Sequence, residues 1–149
     1  MIEVGLNPVK DLRIDTSGHY VVTLSIIRLP HLPLSKKQLV QLNRQPLCGQ
    51  LGAPKQLSAF EKARNVNIDS PRTAMKICDI TTVLEVDKQI IKGRVRSVGP
   101  SPNLGSFMRE YGPKSLCFGI RANAQVSEIY PGAIELLDIV TWDIVAPPT

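Results

Sequence analysis

Apolar and β-branched residues alternate with short polar turns along most of the sequence, and this pattern predicts a protein built mainly of β-strands. Residues 20–29 read YVVTLSIIRL and are followed by Pro30, which cannot donate a hydrogen bond to a sheet ladder. Residues 73–80 predict a strand in which Ile77 and Ile80 face opposite sides. Further strands are predicted over residues 83–86 and 90–98, joined as a hairpin across 87–89, and over residues 134–145.

Three short segments have the sequence signals of helices. Ser35 is a candidate N-cap for a helix over residues 36–44, because its hydroxyl can accept a hydrogen bond from a backbone N–H of the first turn. Residues 58–64 predict one or two further helical turns. Residues 103–111 predict a helix that ends at Gly112.

Together these elements predict an α+β fold, a mostly antiparallel, barrel-like β-sheet with two or three short helices. The 149 residues fit one domain, and the content of 43% hydrophobic and 21% charged residues is that of a soluble globular protein. No run reaches the roughly 18 apolar residues of a membrane-spanning helix, and the start MIEVGLNPVK does not resemble a signal peptide. We therefore expect no membrane partner and folding in the cytosol.

The formal charge of +5 comes from lysines and arginines that are spread along the sequence without any block of five like charges. Such residues can contact nucleic acid through its phosphates, and their gathering on one face would favour that function. The three cysteines have no CxxC spacing, and His19 and His31 are the only histidines. Neither a disulfide framework nor a metal site is predicted, and no cofactor is expected.

The strand predicted over residues 112–124, GPKSLCFGIRANA, carries the candidate chemistry. Ser115 and Cys117 share a face of this strand because side chains alternate with period two, and Gly119 and Arg121 continue that face. A small nucleophile followed by glycine and arginine fits an active site, whereas a cysteine in an apolar strand is more often a core residue. A catalytic role requires a base elsewhere in the chain.

Four segments, in order, resemble the conserved blocks of the prohead proteases of tailed bacteriophages. PLCGQLGAP at residues 46–54, predicted to be a loop from its glycines and prolines, resembles the family's Gly-Glu-Leu-x-His-Pro loop. RTAMKICDITTVLEVDKQIIKGRVRSVGP is similar to the strand pair and hairpin that follow, SLCFGIRA to the nucleophile strand, and LLDIVTWDIVAPP to the closing strand. The resemblance covers residues 46–148 and implies the fold of the herpesvirus assembly proteases, a β-barrel with surrounding helices.

The resemblance further implies a serine nucleophile that a histidine activates by taking its proton. Cys117 falls at the nucleophile position, or Ser115 does if the strand is shifted by two residues. Gly119 and Arg121 would lie near the oxyanion-stabilising part of the site, where they are candidate binding residues.

The histidine positions of the family are filled by residues that cannot act as a base. Ala53 occupies the loop position, and Met75 occupies a strand position that is a histidine in some relatives. An ordinary cysteine thiol is only a few per cent ionised at neutral pH, so Cys117 without a base is predicted to be a vestigial nucleophile. His19 and His31 lie outside the matched segments and are interpreted as exposed loop residues.

Three functions are therefore considered. The first is a capsid-associated protein with a prohead-protease-like fold that is catalytically inactive and has a structural, decoration or assembly role in the virion head, which it joins in the host cytoplasm. Its partners would be the major capsid or scaffold protein, or further copies of itself. The second is an active prohead endopeptidase that processes these proteins with Cys117 or Ser115 as nucleophile. It requires either that Ala53 replaces a natural histidine by engineering or that His19 or His31 has become the base. The third is a basic virion protein that contacts nucleic acid.

Overall fold

The computed structural model describes residues 13–14, 19–50, 73–98 and 117–145. Its elements are, in order, β1 (Arg13–Ile14), β2 (Tyr20–Arg28), α1 (Lys36–Leu42), β3 (Leu47–Gln50), β4 (Thr73–Leu84), β5 (Lys88–Ser97), β6 (Cys117–Val126) and β7 (Ile134–Val145). The helices predicted over residues 58–64 and 103–111 lie outside the described residues. No helix in the described ranges has the length and apolar content to span a membrane.

The strands form two antiparallel sheets. The larger sheet has the order β1-β2-β5-β4-β3, and β6 and β7 form a separate two-stranded ribbon. β3 contacts β7 and β2 contacts β6, and both sheets contribute to one hydrophobic core. The prediction of a mostly antiparallel α+β fold is confirmed. However, no ladder joins the two sheets within the described residues, so these strands are not closed into a barrel, and one helix is present there instead of two or three.

β3 of the larger sheet packs closely against β7 of the ribbon, and a side-chain hydrogen bond joins the two strands at this crossing. Thr141 Oγ1 donates a hydrogen bond to the carbonyl oxygen of Cys48 at 2.9 Å. A side chain on Gly49 would collide with the carbonyl oxygen of Trp142 and with Met75, so the crossing requires glycine. The segment was predicted to be a loop, and that prediction is wrong over β3.

A bulge in β4 changes which residues of that strand face the core, so the faces predicted by strict alternation are wrong beyond it. The register with β5 changes between Cys78 and Thr81, and Asp79 within the bulge is exposed with a φ of 51°. Aspartate tolerates this left-handed region better than most residues. Because the bulge adds a residue, Ile80 faces the core together with Ile77, whereas strict alternation predicted opposite sides.

α1 begins at the predicted N-cap and is anchored to the ribbon. Ser35 Oγ accepts a hydrogen bond from the Gln38 N–H at 3.2 Å, and Gln38 Oε1 accepts one from the Ser35 N–H at 2.9 Å, which together form a capping box. Gln38 Nε2 also donates to the carbonyl oxygen of Leu136 at 2.7 Å. The helix ends at Leu42, two residues before the predicted end.

Two amide side chains fasten the segment between β2 and β3 to the larger sheet. Gln89 Oε1 accepts a hydrogen bond from the Leu34 N–H at 2.7 Å, and Gln89 Nε2 donates to the Leu34 carbonyl at 3.1 Å. Asn43 accepts from the Ile80 N–H and donates to the Ile80 carbonyl, both at 2.8 Å. Each amide thereby satisfies both backbone groups of its partner. We call these two pairs the amide clamps.

A bulge in β2 places a serine beneath the single tryptophan of the chain. The register with β5 changes between Thr23 and Ser25, and both Leu24 and Ser25 are buried. Trp142 Nε1–H donates a hydrogen bond to Ser25 Oγ at 2.7 Å, and the Trp142 side chain is fully buried. The serine therefore satisfies the only polar atom of a large core side chain.

Replacing this serine should destabilise the protein without changing its fold. We expect Ser25→Ala to lower the free energy of unfolding by about 1 to 3 kcal/mol, because the buried indole N–H loses its acceptor. Urea unfolding followed by Trp142 fluorescence measures the change. Thr81→Ala, at an exposed position of β4, is the control and should stay within about 0.5 kcal/mol of the wild type. Equal effects of the two substitutions would contradict the prediction.

Candidate functional site

The predicted nucleophile strand is a strand, and Cys117 is its first residue. Cys117 pairs with Val145 at one end of the ribbon, and Val126 pairs with Ile134 at the other end. The strand prediction is thus confirmed from Cys117 onward. Ser115 and Ala53 lie outside the described residues, so the assignments of these two positions stay predictions.

The two faces of the ribbon differ in chemistry. Phe118 and Ile120 pair with Ile144 and Trp142, and these four side chains belong to the core or pack against it. On the opposite face, Gly119 pairs with Asp143 and Arg121 with Thr141. Residues 141–144 are nevertheless all buried, so β7 is covered on both faces at this point.

A buried ion pair occupies the face that carries the candidate binding residues. Arg121 Nη2 lies 2.7 Å from Asp143 Oδ1, and Arg121 Nε donates to Asp143 Oδ2 at 3.2 Å. The relative exposures are 8% for Arg121 and 3% for Asp143. Two-point contact of this kind fixes the guanidinium in orientation and balances its charge. The structure thus places Arg121 in an ion pair beside Gly119; their binding role stays a prediction.

Met75, at the second histidine position of the family, lies in the hydrophobic core. Its side chain is fully buried, and its backbone pairs with Gly49 of β3. A thioether in this position offers no proton acceptor for general-base catalysis.

His31 has a structural role at the far end of the ribbon. It lies in a loop, as interpreted, but it is half-buried instead of exposed, and its Nδ1 accepts a hydrogen bond from the Ile134 N–H at 3.1 Å. The nine residue steps from Val126 to Cys117 correspond to about 30 Å along β6. A general base must approach its proton to about 3 Å. His31 is therefore not a base for Cys117.

His19 lies on the outer side of the larger sheet and is also half-buried. Its Nδ1 is 3.5 Å from Arg94 Nη2, and Arg94 Nη1 donates to Asp79 Oδ2 at 2.6 Å. His19, Lys76, Cys78 and Arg96 line a cleft of about 170 Å³ with Pro46. This cleft, and not the ribbon, brings a histidine and a thiol together.

The thiol in this cleft is not activated. Burial raises the pKa of Cys78, and the Asp79 carboxylate raises it further by its charge and by a hydrogen bond, against the opposing effects of Arg94 and Arg96. Burial likewise raises the pKa of Cys48, against the effect of Lys76. A thiol with a raised pKa stays protonated at neutral pH and is a poor nucleophile. Within the described residues, no three side chains form a metal-binding group.

The raised pKa of Cys78 predicts slow alkylation that speeds up with pH. The rate with iodoacetamide should rise about tenfold per pH unit and keep rising above the usual thiol pKa. Asp79→Asn removes the negative charge and should increase the rate at neutral pH by about three- to tenfold. Mass spectrometry of the Cys78 peptide gives the rate. Asp138→Asn, an exposed acid of the ribbon, is the control, and an equal acceleration by it would contradict the assignment to Asp79.

The gathering of basic residues on the outer face of β5 was not predicted, because the lysines and arginines are spread along the sequence without a block of like charges. The available signal was the alternation of Lys92, Arg94 and Arg96 with Gly93 and Val95, which predicts three cations on one face of a strand.

Comparison with protein families, with curated proteins and with solved structures gives no match to this chain. The indications of function are therefore the four resembling sequence segments and the geometry described above.

Proposed function

We propose that this chain is a capsid-associated protein of tailed bacteriophages, with a prohead-protease-like fold that no longer cleaves peptides and has a structural or assembly role in the virion head. The order and spacing of the four resembling segments support the family. The mostly antiparallel sheets around one core also support this proposal, since the family's fold is likewise built mainly of β-strands. The partner is the major capsid protein or the scaffold protein.

The observation that carries an assembly role is an apolar surface at one end of the molecule. The turn after β2 reaches both hairpins there, because the Leu29 N–H donates to the Asp87 carbonyl at 3.0 Å and the Leu32 N–H to the Ile134 carbonyl at 3.1 Å. Seven of the nine large apolar side chains that are exposed in the described ranges lie at this end. We call them the apolar end: Leu29, Val83, Leu84, Val86, Val126, Ile129 and Tyr130.

The apolar end is held in a defined shape. Ser127 Oγ accepts hydrogen bonds from the N–H groups of Ile129 and Tyr130, at 3.3 and 3.1 Å, and the Ser127 N–H donates to the Ala133 carbonyl at 2.9 Å. Val86 at the tip of the neighbouring hairpin is fully exposed. Large exposed apolar side chains that gather at one end of a molecule are typical of protein interaction sites. A preformed surface also loses less entropy when a partner covers it.

The positions of the described histidines support the loss of catalysis. His31 is engaged at the opposite end of the ribbon from Cys117, and His19 contacts Arg94 on the outer face of the larger sheet. Met75, where some relatives carry a histidine, is a core residue. A cysteine without a general base loses about 10² to 10⁴ in rate from this cause alone.

Binding to capsid and scaffold protein, measured by co-sedimentation, tests the assembly role. Val86→Glu with Ile129→Glu should abolish binding, because two carboxylates would have to be buried in the interface. Val40→Glu changes an exposed apolar residue of α1 and should leave binding intact. Equal loss in both variants, or binding that persists in the double variant, would exclude the apolar end. The sedimentation coefficient of the chain alone tests whether the apolar end holds two copies of this chain together.

Incubation of the chain with the same proteins tests catalysis. We expect no cleavage of itself, of capsid protein or of scaffold protein, and the same result for Cys117→Ala. Cleavage by the unmodified chain that disappears in Cys117→Ala would establish the alternative, an active endopeptidase. Ala53→His combined with Cys117→Ser then asks whether restoring the family's residues restores cleavage.

A further inference from the structure

The basic residues that are dispersed in the sequence are gathered by the strand register. Lys92, Arg94 and Arg96 alternate along β5 with the buried residues Gly93 and Val95, so the three cations share the outer face of the sheet. Successive cations on one face of a strand are about 6.7 Å apart. The result is a straight row of positive charge.

The neighbouring strand widens this row into a surface. Lys76 of β4 lies directly opposite Arg96 in the register, so its side chain stands on the same outer face. Arg96 is exposed, and Lys76, Lys92 and Arg94 are half-buried. We call these four residues the cationic face. Asp79 in the β4 bulge contacts Arg94, with its Oδ2 2.6 Å from Arg94 Nη1.

The two hairpins differ in the sign of their net charge. β4, β5 and their turn contain five basic residues and three acids: Lys76, Lys88, Lys92, Arg94 and Arg96 against Asp79, Glu85 and Asp87. The ribbon and its turn contain a single basic residue, Arg121, against four acids: Glu128, Glu135, Asp138 and Asp143. A polyanion would therefore be attracted to one side of the molecule and repelled from the other.

We propose that the cationic face binds the phosphate backbone of nucleic acid without sequence preference. This inference does not depend on the proposed function. The chemistry is that of the side chains present, since arginine guanidinium groups bind phosphate in two-point contacts and lysine supplies a point charge. The cleft of about 170 Å³ between Lys76 and Arg96 is smaller than the pockets of about 300 Å³ or more that hold small organic ligands.

Two observations favour nucleic acid over an acidic peptide and define the mode of contact. β5 is a central strand with β2 and β4 on its two sides, so an extended peptide cannot add to it through main-chain hydrogen bonds. The described aromatic residues lie elsewhere, since Tyr20, Phe118 and Trp142 belong to the core region and Tyr130 to the apolar end. The described part of the chain therefore offers bases no aromatic platform on this face, and the contact that we propose is through phosphates.

Fluorescence anisotropy with labelled nucleic acid tests the proposal. The probes are an oligothymidine of about 20 nucleotides and a duplex of mixed sequence of similar length. We expect dissociation constants of about 10⁻⁴ to 10⁻⁶ M at physiological salt for both, whatever the sequence. For the duplex, the slope of log K against log salt should be about −3, as expected for three to four phosphate contacts.

Neutralising two cations should reduce both affinity and salt dependence. In Lys76→Gln with Arg96→Gln we expect about tenfold weaker binding at low salt and a slope less steep by about two. The matched control is Lys36→Gln with Lys37→Gln, which removes the same charge from exposed positions of α1. An equal loss in the control would show that net charge, and not this face, causes binding, and would overturn the proposal.

Asp79→Asn should strengthen nucleic-acid binding, whereas the loss of cations should weaken it. It removes the acid that contacts Arg94, and asparagine tolerates the left-handed backbone of this position. We expect about threefold tighter binding to the duplex or more, because the face gains one net positive charge. Unchanged or weaker binding would contradict the proposal.

Competition with other polyanions separates nucleic acid from the alternatives. Poly-glutamate and vesicles of mixed phosphatidylcholine and phosphatidylserine should compete more weakly than unlabelled duplex. If either competes more strongly than the duplex, the cationic face serves an acidic protein or an anionic membrane, and the assignment to nucleic acid is wrong.

Discussion

Gly49→Ala should destabilise the protein by at least about 3 kcal/mol, a large share of the roughly 5 to 15 kcal/mol that stabilises a typical domain. The added methyl group would collide with the Trp142 carbonyl oxygen, which belongs to the backbone of the second sheet and cannot rotate away. Relief requires the crossing of β3 and β7 to open, which also strains the hydrogen bond from Thr141 to Cys48. Urea unfolding followed by Trp142 fluorescence measures the loss.

Gly93→Ala is the matched control for this effect. Its added methyl group would meet the tip of a flexible side chain, Leu24 Cδ1 at 2.8 Å, and Ile77 Cγ2 at 3.3 Å. We expect a loss of about 1 to 3 kcal/mol, partly recovered by Leu24→Val. No comparable recovery should accompany Gly49→Ala with Met75→Ala, because the backbone oxygen remains in place. Rescue in that second pair would show that β3 does not approach β7 as closely as described.

Breaking the buried ion pair should have an effect of similar size. Arg121→Met removes the guanidinium that contacts the buried Asp143 carboxylate at two points, and we expect a loss of about 3 to 5 kcal/mol. Asp143→Asn should cost nearly as much, since it removes the negative charge from the same two-point contact. Chemical unfolding of each variant gives the values.

The double variant distinguishes a structural ion pair from a site that needs its charges. Arg121→Met with Asp143→Leu removes both charges and fills the space with apolar atoms, so stability should return to within about 1 kcal/mol of the wild type. Failure to recover would mean that other buried groups depend on the pair. If capsid or scaffold binding is lost although stability recovers, the binding role predicted for Gly119 and Arg121 gains support.

The strands could be predicted because their signals are local. Residues 20–29 and 134–145 alternate or run apolar between turn residues, and Ser35 marks the start of α1 by its own side-chain chemistry. β3 has no such local signal. Gly49, which suggested a loop, is required because this position packs against the Trp142 backbone of β7, more than ninety residues away in the sequence.

The candidate site was predictable in chemistry but not in geometry. Strand alternation predicted that Gly119 and Arg121 share a face of β6. The contact of Arg121 with Asp143 could not be predicted in this way, because it depends on the register between β6 and β7. The cationic face and the apolar end depend likewise on the order of the strands and on where the hairpin tips meet, which no single segment encodes.

The amide clamps have a consequence for how the molecule responds to its ionic surroundings. Gln89 and Asn43 are uncharged, so the attachments that they make to Leu34 and Ile80 are indifferent to dissolved salt. The ion pair of Arg121 with Asp143 is buried and weakly screened. Contacts made by Lys76 and Arg96 at the surface fade as counterions accumulate. A rise in ionic strength would thus release a bound polyanion while the protein keeps its folded structure, so that attachment is reversible without unfolding.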